Sequence, residues 1–489
     1  MSDYLKIEKS KRGKKLLICD GYQFHLNRSV DTKYYWRCVQ YQGKQCSSTL
    51  ITNCDDMNSN DHHSVVKEMS EHSHAPSAAA NDSLVLKNNL KRAATVSNEA
   101  PTKLIHNNIE SLPSTSACCL PNKNALRQVV HRARKTNLPK EPSSLDEIDV
   151  PSDYKSVEGE LFLAKDIEYG NNNRLLLFCT KGNLKILRSS RIWILDGTFR
   201  TCPSIFSQIY SIHAIVGMDA ETKKTIPVVY CFLTDKAEES YMVLFRELVS
   251  YAAEFEYELN PQHIITDFEI SMINVIRIQF PEANHSGCFF HLGQNVWRQI
   301  QKSGLVSRYG NDSNFALKLR HIVALAYLPP DEIPGAFEML KTEVLPEEAE
   351  SVVFWFEQYY VLGKVKTQQN GTTITFTRSS PLFPPQLWSI HQLNELGLPR
   401  TQNSVEAWHR RWNSLLANCR LGVYGTISML RKEQMVTNHA IEKAQAAVDR
   451  TPPRKKGKKL STSISKICQN RSNMEVITFL RSLANHIEL

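Results

Sequence analysis

Apolar positions recur in two rhythms along this chain. The first 76 residues hold short runs of strand length, KLLICDGYQFHL and TKYYWRCVQY, which predict a small β-rich module over 6–76. Small and polar residues then prevail without a sustained period, predicting a flexible linker over 77–120. A basic helical lead-in, NKNALRQVVHRARKT, occupies 121–150 and is stopped by Pro139 and Pro142. From 151 to 435 strand-length runs (RLLLFCT, RIWILDGTF, QIYSIHAIVGM, KTIPVVYCFLT) alternate with helical spacing. EESYMVLFRELVSYAAEF places Met242, Phe245, Val249 and Ala252 on one helical face. HIITDFE and GCFFH read as strands, and ISMINVIRIQF and LGQNVWRQIQ as helices. A helical pattern over about 300–395 precedes SVEAWHRRWNSLL, in which Val405, Trp408, Trp412 and Leu415 form a stripe. The stretch 436–489 reads as a basic tail with the loop-like run TPPRKKGKKLSTSISK.

The order βββ-α-β-α-β-α is that of a ribonuclease-H-type core. The fold class expected is therefore α/β: a small β-rich module, then an RNase-H-like mixed β-sheet core with an all-helical insertion. Composition does not disturb this picture: 489 residues, 42% hydrophobic and 22% charged, exclude a wholly disordered chain. No run approaches the roughly 18 apolar residues of a spanning helix, so no membrane partner is expected. The opening MSDYLKIEKSKRGKK is charged and lacks the apolar core of a secretory signal. Twelve scattered cysteines fit an intracellular chain with reduced thiols. Residues 141–445 carry 29 basic and 35 acidic side chains, whereas 446–481 carry nine and two. A polyanion would be gripped mainly by the flanks.

Cys38-x7-Cys46 followed by His72-x-His74 supplies two thiolates and two imidazoles, the donor set of a tetrahedral zinc site. His62 and His63 compete for the imidazole places, and Cys19 and Cys54 read as packing residues. The surrounding words, YYWRCVQYQGKQCSSTLI and EHSHAP among them, resemble the FLYWCH-type zinc finger over residues 6–76. Tyr22, Trp36, Cys38, Cys46, His72 and His74 fall on that family's positions, while Ile7 stands where the family has an aromatic. The resemblance implies bound Zn²⁺ and contact with DNA, or with protein as in some members. Lys11, Arg12, Lys14, Lys15, Arg28, Lys33 and Arg37 are the candidate phosphate contacts; a solvated basic face is the alternative for each.

Asp196 closes the apolar strand IWIL, and Asp267 closes HIIT. Carboxylates at such strand ends can converge at one sheet edge and hold divalent cations. Glu406 lies beside the buried stripe of its helix and is the third candidate, with Glu269 and Glu395 as rivals. WILDGTFRTCPSIFSQIYSIHAIVG, IITDFEISMINVIRIQFP, GCFFHLGQNVWRQIQ and LPRTQNSVEAWHRRWN resemble the transposases of Mutator-like elements, over about 122–435. The resemblance makes Asp196, Asp267 and Glu406 the catalytic acids, binding two Mg²⁺ or Mn²⁺. It implies a nuclear enzyme that cuts transposon terminal repeats and joins them to target DNA, acting as a homo-oligomer on double-stranded DNA with no small-molecule substrate. A domesticated DNA-binding or chromatin regulator without cleavage activity is the alternative. Cys288-x2-His291 is a further family-like word, read either as a metal pair or as a structural turn. His409 faces either the acids or the helix surface. Arg127, His131, Arg132, Arg134 and Lys135 line a helix that lies along DNA or covers the protein. RKKGKK, from Arg454, reads as a nuclear-import or phosphate-binding run.

Overall fold

The computed structural model describes residues 5–10, 12–54, 63–97, 99, 101–110, 112, 120–136, 139–217, 224–370, 373–398, 403–416, 421–446 and 455–489. The chain is mixed α/β and divides into two compact units, Met1–Lys140 with Ser414–Cys419, and Glu141–Asn413 with Arg420–Leu489.

In the first unit β1 (Lys6–Lys9), β2 (Lys15–Cys19), β3 (Tyr22–Val30), β4 (Lys33–Cys38), β5 (Thr49–Asn53) and β6 (Ser64–Lys67) form a curled antiparallel sheet in sequence order. Period-two alternation on β4 turns Tyr34, Trp36 and Cys38 into a core with Leu17, Phe24 and Leu50. Lys33, Tyr35 and Arg37 point the other way. Cys19 and Cys54 are buried in that core, and Ile7 packs at its margin. Asp20 and Gly21 close the β2–β3 hairpin with φ of 48° and 82°, the two left-handed residues of a type I′ turn. A Cβ on Gly21 would stand 2.8 Å from the Pro76 Cβ. The chain leaving the sheet is thus laid over this turn.

The expected linker is not extended. Residues 77–120 contain α1 (Ala78–Val96) and α2 (Pro101–Ile109), which pack with α3 (Lys123–Thr136) through Leu86, Leu90, Leu104, Ile105, Leu126 and Val130. The stripe is thin because alanine, asparagine and serine fill the rest of α1, and so the composition resembled a linker. Polar contacts fasten α1 to the sheet. Gln23 Nε2 donates to Asn81 Oδ1 at 2.7 Å, and Asn88 Nδ2 to Glu8 Oε2 at 2.7 Å. Arg92 lies 3.2 Å from the same buried carboxylate.

The second unit opens with the hairpin β7 (Ser156–Val157) and β8 (Glu160–Leu161), then β9 (Leu163–Tyr169), β10 (Asn173–Phe178) and α4 (Lys181–Ser189). There follow β11 (Ile192–Thr198), β12 (Gln208–Val216), β13 (Lys224–Leu233), α5 (Glu238–Ala253), β14 (His263–Thr266), α6 (Ile270–Gln279), β15 (Asn284–Gly287) and α7 (Phe289–Lys302). The sheet order is β15-β14-β11-β12-β13-β10-β9; β14 and β15 run parallel to β11, and the other neighbours are antiparallel. The helical face of α5 is set by Tyr241, Leu244, Phe245, Leu248 and Tyr251 rather than by Val249, which is exposed. GCFFH is not a strand: the ladder ends at Gly287 and Phe289 already begins α7.

The region expected to be all-helical holds α8 (Val306–Asn311), α9 (Ser313–Ala324), α10 (Ile333–Glu343), α11 (Glu350–Phe356), α12 (Pro385–Trp388) and α13 (His391–Glu395). It also holds a hairpin, β16 (Val365–Asn370) with β17 (Thr373–Arg378), whose threonine-rich sequence favours extended backbone. Next come α14 (Asn403–Leu416), α15 (Val423–Gln445), α16 (Lys455–Gln469) and α17 (Val476–Ala484). The expected tail is therefore largely folded: Ile464, Phe479, Leu480 and Leu483 join the core formed by α7 and α9–α13. Arg454 lies outside the described residues.

One buried cation ties the lead-in to the sheet. Arg174 on β10 meets Asp166 through two nitrogens at 2.7 and 2.9 Å and donates to the Leu145 and Ile148 carbonyls at 2.7 and 2.9 Å. Replacing Arg174 with Met strands these acceptors and is expected to destabilise the unit by about 3 kcal/mol. Denaturant unfolding followed by circular dichroism reads this as an earlier transition; an unchanged midpoint would show that the clamp contributes nothing.

Candidate functional site

Two constellations carry chemistry. In the first unit, Cys38 ends β4, Cys46 follows in the loop to β5, and His72 and His74 lie between β6 and α1. Their ligand atoms all lie within 4.8 Å of one another. Cys38 Sγ is 3.2 Å from His74 Nε2, and Cys46 Sγ is 3.3 Å from His72 Nδ1. With metal–sulfur bonds near 2.3 Å and metal–nitrogen near 2.0 Å, a zinc tetrahedron needs edges of about 3.3–3.8 Å, so the four residues fit the ion.

The surroundings fix both imidazoles. Ser48 Oγ donates to the Ser70 carbonyl at 2.7 Å and accepts from His72 Nε2 at 3.1 Å, leaving His72 Nδ1 as the free lone pair. His74 Nδ1 lies 3.0 Å from the Ala75 carbonyl, which leaves Nε2 free. Tyr22 stacks on His72 at 3.6 Å, and its hydroxyl donates to the His74 carbonyl. Burial raises the Cys46 thiol, but hydrogen bonds from the Ser48 and Ser73 backbone outweigh it and lower the group to about 7. Burial also lowers His72, assisted by His74. The Cys46 and His72 shifts favour thiolate and neutral imidazole, the forms that bind metal, whereas burial raises the Cys38 thiol. Sequence reasoning missed Ser48. His63 instead meets Thr52 Oγ1, which accepts the Trp36 indole N–H. His62 lies outside the described residues.

The basic candidates separate. Arg12, Lys14, Arg28 and Lys33 are exposed, while Lys15 and Arg37 are partly covered. Arg28 sits over Tyr35 at 4.5 Å and Arg37 over Tyr41 at 3.1 Å. Arg132 is exposed on α3, but Arg134 turns inward and donates to the Ser97 and Glu99 carbonyls at 2.9 and 2.6 Å. Lys11 and the Lys135 side chain lie outside the described residues.

In the second unit, β11 and β14 pair in parallel with Ile192, Trp193 and Ile194 opposite His263, Ile264 and Ile265. That ladder ends at Ile194 and Ile265; Asp196 does not close its strand, since β11 runs on to Thr198, whereas Asp267 follows the last residue of β14. Alternation gives Asp196 the face of Ile194, on which the α7–α13 core packs. Gly197 is required beside Asp196: a Cβ there would stand 2.7 Å from Gln208 Oε1.

Helix α14 crosses that face. Asp196, Ser211 and Tyr230 form one row across β11, β12 and β13, and Trp408 rests on Tyr230 and His213 at 5.8 and 5.3 Å. The buried stripe ends in Leu416, not Leu415, which is 44% exposed. Glu433 holds the helix from α15, accepting from Trp408 Nε1 at 2.7 Å and pairing with Arg411. This placement brings His409 Nδ1 to 3.0 Å from Asp196 Oδ2, with Nε2 3.4 Å from Ser211 Oγ; Ser211 Oγ also lies 2.9 Å from His213 Nε2. Of the two readings of His409, the structure takes the buried one. Ser211 and His213 were missed, although two polar residues two apart in the apolar run QIYSIHAIV are a legible sign of a polar contact on one strand face.

Glu406 lies in the first turn of α14, and its buried Oε1 has no hydrogen-bond partner. Burial raises its carboxyl, as does Asp196, against the lowering charge of His291. Burial, Glu269 and Asp196 raise Asp267 to about 6, with Lys236 opposing. This uncompensated negative charge, together with an orphaned carboxylate oxygen, fits a hard divalent cation. Among the described residues, however, only the zinc constellation brings three or more such ligand atoms within 4.8 Å. Glu269 is tied back through Tyr241, whose hydroxyl donates to it at 2.8 Å. Glu395, itself exposed at the end of α13, pairs with His391. Cys288 is buried in the core; His291, one turn into α7, is lowered by burial while Asp196 and Glu406 pull it upward.

Residues 7–74 match the model of the FLYWCH zinc finger domain, and residues 192–295 match that of the MULE transposase domain. No curated protein matches the chain. Together the two matches suggest a transposase-like DNA-binding protein, and the Cys and His cluster fits the zinc of the first.

Ser48→Ala frees the outer nitrogen of His72 and is expected to weaken zinc about 10–100-fold, whereas Cys46→Ala abolishes the site. Competition with a chromogenic chelator measures both; equal affinity for Ser48→Ala and wild type would remove Ser48 from the centre.

Proposed function

We propose that the chain is a DNA transposase of the Mutator-like type that cuts transposon ends and joins them to target DNA in the nucleus. What supports this reading is that Asp196 on β11 acts electrostatically on both Asp267, just past the parallel strand β14, and Glu406 on α14, whose buried Oε1 is unpartnered. The strand order supports an RNase-H-like core, with the finger (6–76) as a DNA-binding module and 151–435 as the catalytic domain. Asp196, Asp267 and Glu406 would hold Mg²⁺ or Mn²⁺. Such ions, when bound, activate an attacking oxygen and stabilise a leaving one. His409 orients Asp196 by donating to one carboxylate oxygen, while the Gly197 N–H holds the other at 2.8 Å. Lys236, 3.5 Å from Glu269, supplies positive charge beside the acids. Oligomerisation on DNA belongs to the same proposal.

A second reading, a DNA binder without cleavage, is favoured by the His409–Asp196 pair, which already satisfies one carboxylate without a cation. A strand-cleavage assay on duplex DNA carrying the terminal repeats that flank the gene separates the two. With Mg²⁺ or Mn²⁺ the wild type is expected to nick at the repeat ends. Asp196→Asn, Asp267→Asn and Glu406→Gln should each lose at least about a thousandfold in rate, roughly 4 kcal/mol of barrier, with DNA binding retained. Wild-type binding without nicking under either metal selects the binder.

A further inference from the structure

The helix α1 begins four residues beyond the matched finger and yet is fastened to its sheet by Gln23–Asn81 and Glu8–Asn88. Between the sheet and the helix lies a cleft of about 710 Å³. Arg12, His25, Lys87 and Lys91 line it, and no aspartate or glutamate does. Glu8, outside that lining, is buried beneath Lys6 and Arg92. Its floor includes Leu16 and Leu84.

The cleft opens onto a charged surface. His25 stands opposite Leu16 on β2 and Arg37 on β4, so its row leads from the cleft across the outer face to Arg37, with Lys33 on the same strand. Cations rimming an apolar floor match a sugar-phosphate strand, with deoxyribose on the floor and phosphates on the rim. Apart from His25 the lining offers no ring on which a base could stack, which points to backbone contact rather than base reading.

We infer that this cleft seats one strand of duplex DNA through its phosphates, so that Lys87 and Lys91 of α1 extend the finger's DNA-binding surface. The inference rests on the proposed DNA-binding reading and adds to it a surface outside the matched domain. Each phosphate contact contributes about −0.9 to the slope of log binding constant against log salt, or about eightfold in affinity at 0.1 M salt.

The test uses the zinc-loaded full chain, with terminal-repeat and scrambled duplexes titrated across salt. The double variant Lys87→Gln/Lys91→Gln is expected to reduce the slope by about 2 on both duplexes, with zinc content and thermal melting unchanged. Lys87→Arg/Lys91→Arg should restore the wild-type slope. Should the double variant fold poorly, Lys91→Gln alone, at an exposed position, should reduce the slope by about 1. Steep wild-type binding with an unchanged slope in these variants overturns the cleft while leaving the DNA-binding reading intact. Failure of the wild type to bind either duplex overturns both.

Discussion

The parallel ladder between β11 and β14 is the constraint on which the second unit turns. With Ile192, Trp193 and Ile194 set opposite His263, Ile264 and Ile265, the same register carried two residues further would set Asp196 beside Asp267. Apolar packing on both sheet faces fixes that register, because a one-residue slip would turn Ile194 and Ile265 out of their core. Bringing two carboxylates together under cover raises the free energy of the charged state. The rise of Asp267 to about 6 reflects that burial and its acidic neighbours. Helix α14 answers the charge in part through His409, and its Glu406 adds to it. The balance is an excess of negative charge that cations can relieve.

The first unit solves a different problem. Its sheet core is small and includes Cys38 and Cys46, whose sulfurs face His74 and His72. Zinc held by Cys38, Cys46, His72 and His74 would link the end of β4 to the segment after β6. The chain then passes over the tight Asp20-Gly21 turn into α1, whose asparagines satisfy groups that the sheet leaves open. Metal binding and helix docking thus stabilise the same fold from two sides.

Much of this was legible in the sequence. The Cys and His spacing and the order of strands and helices are short-range patterns, whereas Asp196 proved to lie within its strand rather than at its end. Legibility failed where the deciding contact is long-range. The helices of 78–109 were hidden because their apolar stripe is narrow and their docking is polar, through residues about 58 and 80 positions away in the sequence. Leu416 rather than Leu415 closes the α14 stripe because packing, not the ideal period, selects the buried residue. The pairing of His409 with Asp196 spans much of the second unit and leaves no local trace. Conversely, Arg134 looked like one more surface cation, but two backbone carbonyls draw it inward.

Whether Asp196, Asp267 and Glu406 together hold divalent cations is measurable as metal binding, without requiring turnover. The zinc-loaded full chain would be titrated with Mn²⁺ and followed by electron paramagnetic resonance of the free ion. Saturable Mn²⁺ binding is expected, displaced by Mg²⁺ and lost in Asp196→Asn and in Glu406→Gln. Wild type that takes up no Mn²⁺, or variants that bind it as wild type does, would contradict joint coordination by the three acids.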